Sequence, residues 1–265
     1  MNGRVAIVTG GSKGIGLGIV QLLLAEGACV VNVGRSPAAA ADIPENVQAR
    51  YRFFPGDLVD LTVCRDAVAY AVQTFGGLHI LVNNAGVNDG AGLDAGPDAF
   101  LLSLQRNLLH YYAMAHHAAP YLRHSRGCII NIGSKVCETG QGGTSGYAAS
   151  KGAINGLTRE WAVELAPAGV RVNVVLPAET WTPLYERCLA AMPDPAAARA
   201  AIENLIPLGR RFTTIAELAA TVVFLASDCS SHTTGQILYV DGGYTHLDRK
   251  CTAPGPVDDF GAAAT

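Results

Sequence analysis

Seven short apolar runs punctuate the chain: VAIVT (5–9), CVVNV (29–33), RFF (52–54), ILVN (80–83), CIINI (128–132), VNVVL (172–176) and ILYV (237–240). Most are rich in β-branched residues, and all are too short for a buried helix, so they predict strands. Between most of them lie stretches with helical period. In residues 16–26, for example, Ile19, Val20, Leu23 and Leu24 fall on one face. Strand-helix alternation predicts βαβ units, hence an α/β fold with one doubly wound, seven-stranded parallel sheet covered on both faces. No internal repeat and no linker divides the chain, so residues 1–249 read as a single domain. Residues 178–212 exceed a simple βα loop and carry helical patches of their own, which predicts a lid. Residues 250–265, rich in Pro, Gly and Ala, read as a loose C-terminal tail able to dock on a neighbouring subunit.

Composition narrows the function classes. Of 265 residues, 49% are hydrophobic and 15% charged, and net charge is −3. That is a core-rich globular chain with no basic surface for nucleic acid or anionic membrane. Met1 leads straight into RVAIVTGG, without a charged-then-apolar leader. No apolar run approaches the ~18 residues of a membrane span. Seven cysteines form no CxxC pair, which is the pattern of buried, reduced thiols in a cytoplasmic protein.

After the first run comes TGGSKGIG, with a helical stretch behind it. Glycines let a backbone turn sharply and approach a pyrophosphate, and a helix N-terminus offers free N–H groups and partial positive charge. Gly10, Ser12, Lys13, Gly14, Ile15 and Gly16 are therefore expected to bind a dinucleotide. The spacing is G-x3-G-x-G, not G-x-G-x-x-G. At the end of the second run an acid would bind the 2′-OH of NAD, and an Arg would accommodate the 2′-phosphate of NADP. The chain has Gly34 and then Arg35, and Lys13 lies on the same side. Two cations and no acid favour NADP over NAD. Asp57 and Leu58, after the third run, are placed to border the adenine.

SGYAASKGA carries Tyr147 and Lys151 four residues apart, on one face of a helix. An ammonium beside a phenol is expected to lower its pKa and make it a proton-transfer group. Ser134, thirteen residues upstream, follows the fifth run. NNAG, with Asn84, Ala85 and Gly86, closes the fourth, and Asn107 lies in the helix after it. From Val5 to about Tyr244, these motifs in this order resemble the classical short-chain dehydrogenase/reductase family. The resemblance implies a Rossmann-type sheet and a catalytic tetrad of Asn107, Ser134, Tyr147 and Lys151. Tyr147 would take the proton of a substrate alcohol while hydride passes to C4 of the nicotinamide. Lys151 would bind the nicotinamide ribose, Ser134 would position the substrate oxygen, and the Asn107 backbone would hold a relay water. The family commonly shows Pro-Gly after the sixth strand, where this chain has Pro177-Ala178. Thr180 or Thr182 is expected at the carboxamide.

The stretches TGQGGTSGYAASKGA, LPAETWTPLYER and SHTTGQILYVDGGYTHLDR are similar to a narrower branch, bacterial sugar dehydrogenases that oxidise L-fucose and related aldoses at C1 to lactones. A sugar pocket needs short polar groups and acceptors. Glu138, Gln141, Glu179, Trp181 and Tyr185 lie where carboxyl ends of strands would place them around a ligand. Trp181 suits the C–H face of a sugar, and Glu179 either accepts sugar hydroxyls or caps the lid helix. The alternatives are a carbonyl reductase of 3-oxoacyl or small ketone substrates, with Arg123, Arg126 and Arg171 docking an acidic carrier, and a non-catalytic dinucleotide sensor. The sensor needs neither Tyr147 nor Lys151. His110, His116, His117 and His124 lack a paired Cys or acid at ligand spacing, so no metal is expected. Gly152 and Gly156, one turn apart, allow close helix packing, in keeping with the homotetramers or homodimers usual in the family.

Overall fold

The computed structural model describes residues 1–246. The predicted tail, 250–265, and Cys251 with it, lie outside them. All seven expected strands form: β1 (Val5–Thr9), β2 (Cys29–Gly34), β3 (Tyr51–Pro55), β4 (Ile80–Asn83), β5 (Cys128–Ile132), β6 (Arg171–Pro177) and β7 (Ile237–Val240). They make one parallel sheet in the order β3-β2-β1-β4-β5-β6-β7. β1 pairs with both β2 and β4, so the chain reverses its direction of winding there. That switch point opens a crevice at the carboxyl ends of the strands.

Strand side chains alternate between two separate cores, as the period of two requires. Ile7, Leu81, Ile129, Val172 and Val174 pack on one face with α2 (Leu61–Phe75), α4 (His110–Ser125) and α5 (Ser145–Leu165). Ala6, Val8, Ile80, Val82, Ile130 and Val175 pack on the other with α1 (Gly14–Ala25) and α8 (Ile215–Ala226).

The helix that carries Asn107 is not one continuous α-helix. The structure instead has α3 (Gly96–Leu104) and α4 joined by a π-helical turn, Gln105–Leu109, with Asn107 inside it. Such widened turns interrupt the i→i−4 ladder and cluster at functional sites. The segment 178–212 does hold two short helices, α6 (Pro183–Ala190) and α7 (Pro195–Glu203). Residues 179–180 and 213 tie its two ends together by Thr213 N–H to Glu179 O, at 2.9 Å, and a Thr180–Thr213 bridge.

The reading of all thiols as buried holds only in part. Cys64 and Cys128 are buried, but Cys29 and Cys137 are half-buried and Cys188 and Cys229 are exposed. Cys188 sits on the short helix α6, where only Leu189 is buried. Among the described residues no helix is long and apolar enough to cross a membrane.

Candidate active site

The glycine loop is built to receive an anion. A Cβ on Gly16 would lie 2.3 Å from the Gly10 carbonyl oxygen, so the loop closes this tightly only on glycine. Gly10 and Gly14 have φ of +66° and +55°, a region L side chains avoid. Helix α1 starts at Lys13 without a side-chain cap and without an acid in its first turn. Helices α2, α6, α7 and α8 are all capped, by Asp60, Thr182, Asp194 and Thr214. The N–H groups left free at α1 suit a pyrophosphate.

Two side chains the sequence reading passed over, Asn32 and Thr9, hold this loop together with the expected Asn84. Buried Asn32, on β2, accepts from Gly11 N–H at 2.8 Å and donates to Ser12 Oγ at 2.9 Å. Thr9 Oγ1 accepts from the N–H groups of Asn84 and Ala85 at 2.9 and 3.0 Å. Asn84 Nδ2 in turn donates to the Thr9 and Gly10 carbonyls, so its amide braces the loop. The signal available for Asn32 was a lone amide inside an apolar strand, VVNV. Lys13 and Arg35 are exposed, and among the described residues neither has a carboxylate partner. Asp57 is exposed, with Oδ1 on Val59 N–H, and Leu58 is buried.

The structure brings the four tetrad residues to the carboxyl ends of β4 and β5. A Cβ on Gly86 would sit 3.1 Å from Asn107 Oδ1 and 3.6 Å from Lys151 Nζ. Asn107 spends its side chain on the protein, with Oδ1 accepting from Val87 N–H at 2.7 Å and Nδ2 donating to Ser103 O at 3.0 Å. Ser134 caps a short turn, Lys135–Cys137, and stands close enough to Tyr147 to bear on the phenol's pKa. Lys151 is 2% exposed, and its Nζ lies 5.5 Å from the Tyr147 ring centroid.

The expected lowering of the Tyr147 pKa by Lys151 is not found. Burial pushes the phenol up, offset in part by Ser134. Burial also pulls Lys151 down to about 7. Desolvation penalises both charged forms, and Lys151 Nζ donates to neutral oxygens: the Ile132 carbonyl at 2.8 Å and Tyr111 Oη at 3.1 Å. Fully buried Tyr111 donates to the same carbonyl at 2.9 Å. It is a second residue missed in the sequence, although it lies one helical turn beyond Asn107.

The residues expected around the substrate are present but already have partners. Glu179 is ion-paired with Lys135, and its second oxygen accepts from the Tyr185 hydroxyl at 2.5 Å. It does not cap α6: the cap is Thr182, whose Oγ1 accepts from Tyr185 N–H at 3.2 Å. Thr180 is buried, whereas Thr182 lies against the glycine loop, its methyl 3.8 Å from where a Gly14 Cβ would stand. Pro177 ends β6, and Ala178 follows it half-buried. Trp181 packs edge-on to Phe212, at 5.2 Å between centroids, and carries the Arg199 guanidinium over its ring at 4.3 Å. Glu138 accepts from Asn155 at 3.3 Å, and Gln141 is exposed.

A glycine loop capping a parallel sheet at its switch point, with a tyrosine, lysine, serine and asparagine converging beside it, defines a nicotinamide-dependent oxidoreductase. The chain belongs to the short-chain dehydrogenase/reductase family: the family model described as Enoyl-(Acyl carrier protein) reductase matches residues 10–245. It is 38% identical to the L-fucose dehydrogenase of Mus musculus over 91% of this chain and 88% of that one. It is 33% identical to the 3-oxoacyl-[acyl-carrier-protein] reductase FabG of Thermotoga maritima, over 92% of this chain and 98% of the relative. Among solved structures, Cj0485 dehydrogenase superposes with a TM-score of 0.88 at 44% identity, covering 94% of this chain and 96% of that one.

Proposed function

We propose that the enzyme oxidises an aldose of the L-fucose type at C1 to a lactone, with NADP as hydride acceptor. Ser134 holds the C1 oxygen. Tyr147 takes its proton, and the C1 hydrogen leaves as hydride. Lys151 supports the cofactor ribose and Tyr147, and the π-helical turn at Asn107 holds a relay water. Bound cofactor supplies nicotinamide C4 as the acceptor. Thr182 is the better of the two threonines for the carboxamide, since it stands beside Gly14 while Thr180 is buried. Lys13 and Arg35, exposed and without carboxylate partners among the described residues, suit the 2′-phosphate.

The observation that carries the sugar reading is the polar cluster that follows Ser134, made of Lys135, Glu179 and Tyr185, with Trp181 and Tyr185 both packed on Phe212. The relatives named L-fucose dehydrogenase point the same way. The carbonyl-reductase alternative keeps the FabG relative but loses one of its docking cations. Arg171 is half-buried and spends its guanidinium on Leu225 O, Ser230 Oγ and Ser227 O. For assembly, Leu109 and Tyr112 near the start of α4 and Val163 on α5 are exposed apolar side chains. Among the described residues, a Cβ on Gly152 or Gly156 would meet nothing within 4 Å beyond its own helix backbone and chain neighbours. These features suit a homodimer or homotetramer formed through that face, and a cytoplasmic location is in keeping with the free thiols.

The test is a panel of aldoses with NADP or NAD, followed by absorbance of the reduced nicotinamide. Turnover of L-fucose or a near relative with NADP is expected. No aldose turnover, with reduction of an acetoacetyl thioester, overturns the sugar reading in favour of the reductase.

A further inference from the structure

Lys135 and Glu179 come from different βα loops, at the ends of neighbouring strands. Ile132 of β5 pairs with Val175 of β6, and Gly133 N–H bonds the Val175 carbonyl at 2.9 Å. Lys135 is the residue after Ser134, which in the reading above holds the reacting oxygen, so both belong to the loop that follows β5. The two side chains are 14% and 12% exposed, sheltered but not sealed. Tyr185 bonds Glu179 from the lid, and the Tyr244 ring lies under Lys135 Nζ at 4.0 Å.

The donors and acceptors are not exhausted. An ammonium has three N–H groups and a carboxylate about four lone-pair positions. Among the described residues, Lys135 Nζ bonds only Glu179, and Glu179 accepts from only Lys135 and Tyr185. An unused donor therefore lies beside an unused acceptor. Two adjacent ring hydroxyls present the complement: one O–H to give and one neighbouring oxygen to receive. The pair is neutral as a whole, so it recognises an uncharged polyol without attracting a phosphate or carboxylate.

Resting on the sugar reading above, we propose that the Lys135–Glu179 pair is the specificity clamp for a vicinal diol of the substrate, Glu179 accepting from one hydroxyl and Lys135 donating to its neighbour. Tyr185 is a positioning residue that keeps the carboxylate turned to the pair.

The experiment measures kcat and KM for L-fucose and its singly deoxygenated analogues, with wild-type enzyme, Lys135→Met and Glu179→Gln. NADPH binding, followed by fluorescence, checks that the variants fold. Losing a charged hydrogen bond predicts that removing either hydroxyl of one adjacent pair lowers wild-type kcat/KM about 10- to 100-fold, mostly through KM. Each variant should lower kcat/KM for L-fucose by a similar factor, while changing turnover of the analogues that lack the clamped hydroxyls by no more than about 2-fold, as coupled groups require. Aldose oxidation in which the variants depress every analogue equally, or in which no single deoxygenation matters, overturns the clamp alone. Wild-type enzyme that oxidises no aldose overturns the sugar reading and the clamp together. The deoxy series needs no variant, so it decides even if both substitutions impair folding.

Discussion

Two lysines stand within reach of the same crevice and are treated differently. Lys151, on the floor, is 2% exposed and bonded only to neutral oxygens, and its pKa falls to about 7. Lys135, at the mouth, is more open and is ion-paired with Glu179. The floor holds its lysine without a carboxylate partner among the described residues, so no ion pair offsets the desolvation that lowers its pKa. The mouth cancels its cation, which under the proposed clamp suits hydroxyls rather than anions. The floor lysine is the more deeply buried of the two, and the pair at the mouth keeps hydrogen-bonding capacity to spare.

Changes at the floor should act on kcat, and changes further out on affinity or specificity. Tyr147→Phe removes the proton acceptor and should cut kcat by about 10²- to 10⁴-fold while sparing cofactor binding. Steady-state kinetics beside an NADPH titration check this, and a variant that stays active takes the tyrosine out of the mechanism. The desolvation of Lys151 should show in apo stability. Between about pH 7 and the ordinary lysine value, the unfolded chain binds a proton at this site that the fold does not, so the wild type gains stability as pH rises. The gain is at most about 1.4 kcal/mol per pH unit. Denaturant melts of wild type and Lys151→Met across that range should diverge; parallel curves would mean that Lys151 keeps its charge in the fold. Arg35→Asp should shift preference from NADP toward NAD by about 10- to 100-fold, the worth of a charged hydrogen bond. Equal kcat/KM ratios for the two cofactors before and after the change would refute the ribose assignment. Tyr111→Phe leaves Lys151 one donor short of a partner and should lower kcat about 5-fold, the scale of one neutral hydrogen bond. The smallest effect belongs to Arg211→Ala. Its bond to Glu217 joins side chains 51% and 41% exposed, and its loss should cost no more than about 1 kcal/mol in a thermal melt.

Much of the fold was legible because strand signals are local. Each run of three to five residues forms the expected strand, and the α5 spacing sets Tyr147 and Lys151 on one face. The π-helical turn at Asn107 was not legible, since LQRNLLHYY reads as plain helix and the widening serves its packing against α5 and the loop at Val87. Glu179 reads equally well as a helix cap or a ligand in sequence. Its role is set by Lys135, 44 residues away, and Thr182 caps the helix instead.

What the sequence alone determined is therefore what can be expressed within a few turns of chain: strand and helix periods, the glycine positions that only positive φ or close approach allows, and a tyrosine and lysine on one helical face. What the tertiary structure decided is which distant groups meet. Lys151 finds Tyr111 across 40 residues, and Lys135 finds Glu179 because β5 and β6 are neighbours in register. Period and turn chemistry follow from local sterics and burial, whereas a partner across the crevice depends on strand order, and no short stretch of residues encodes that order.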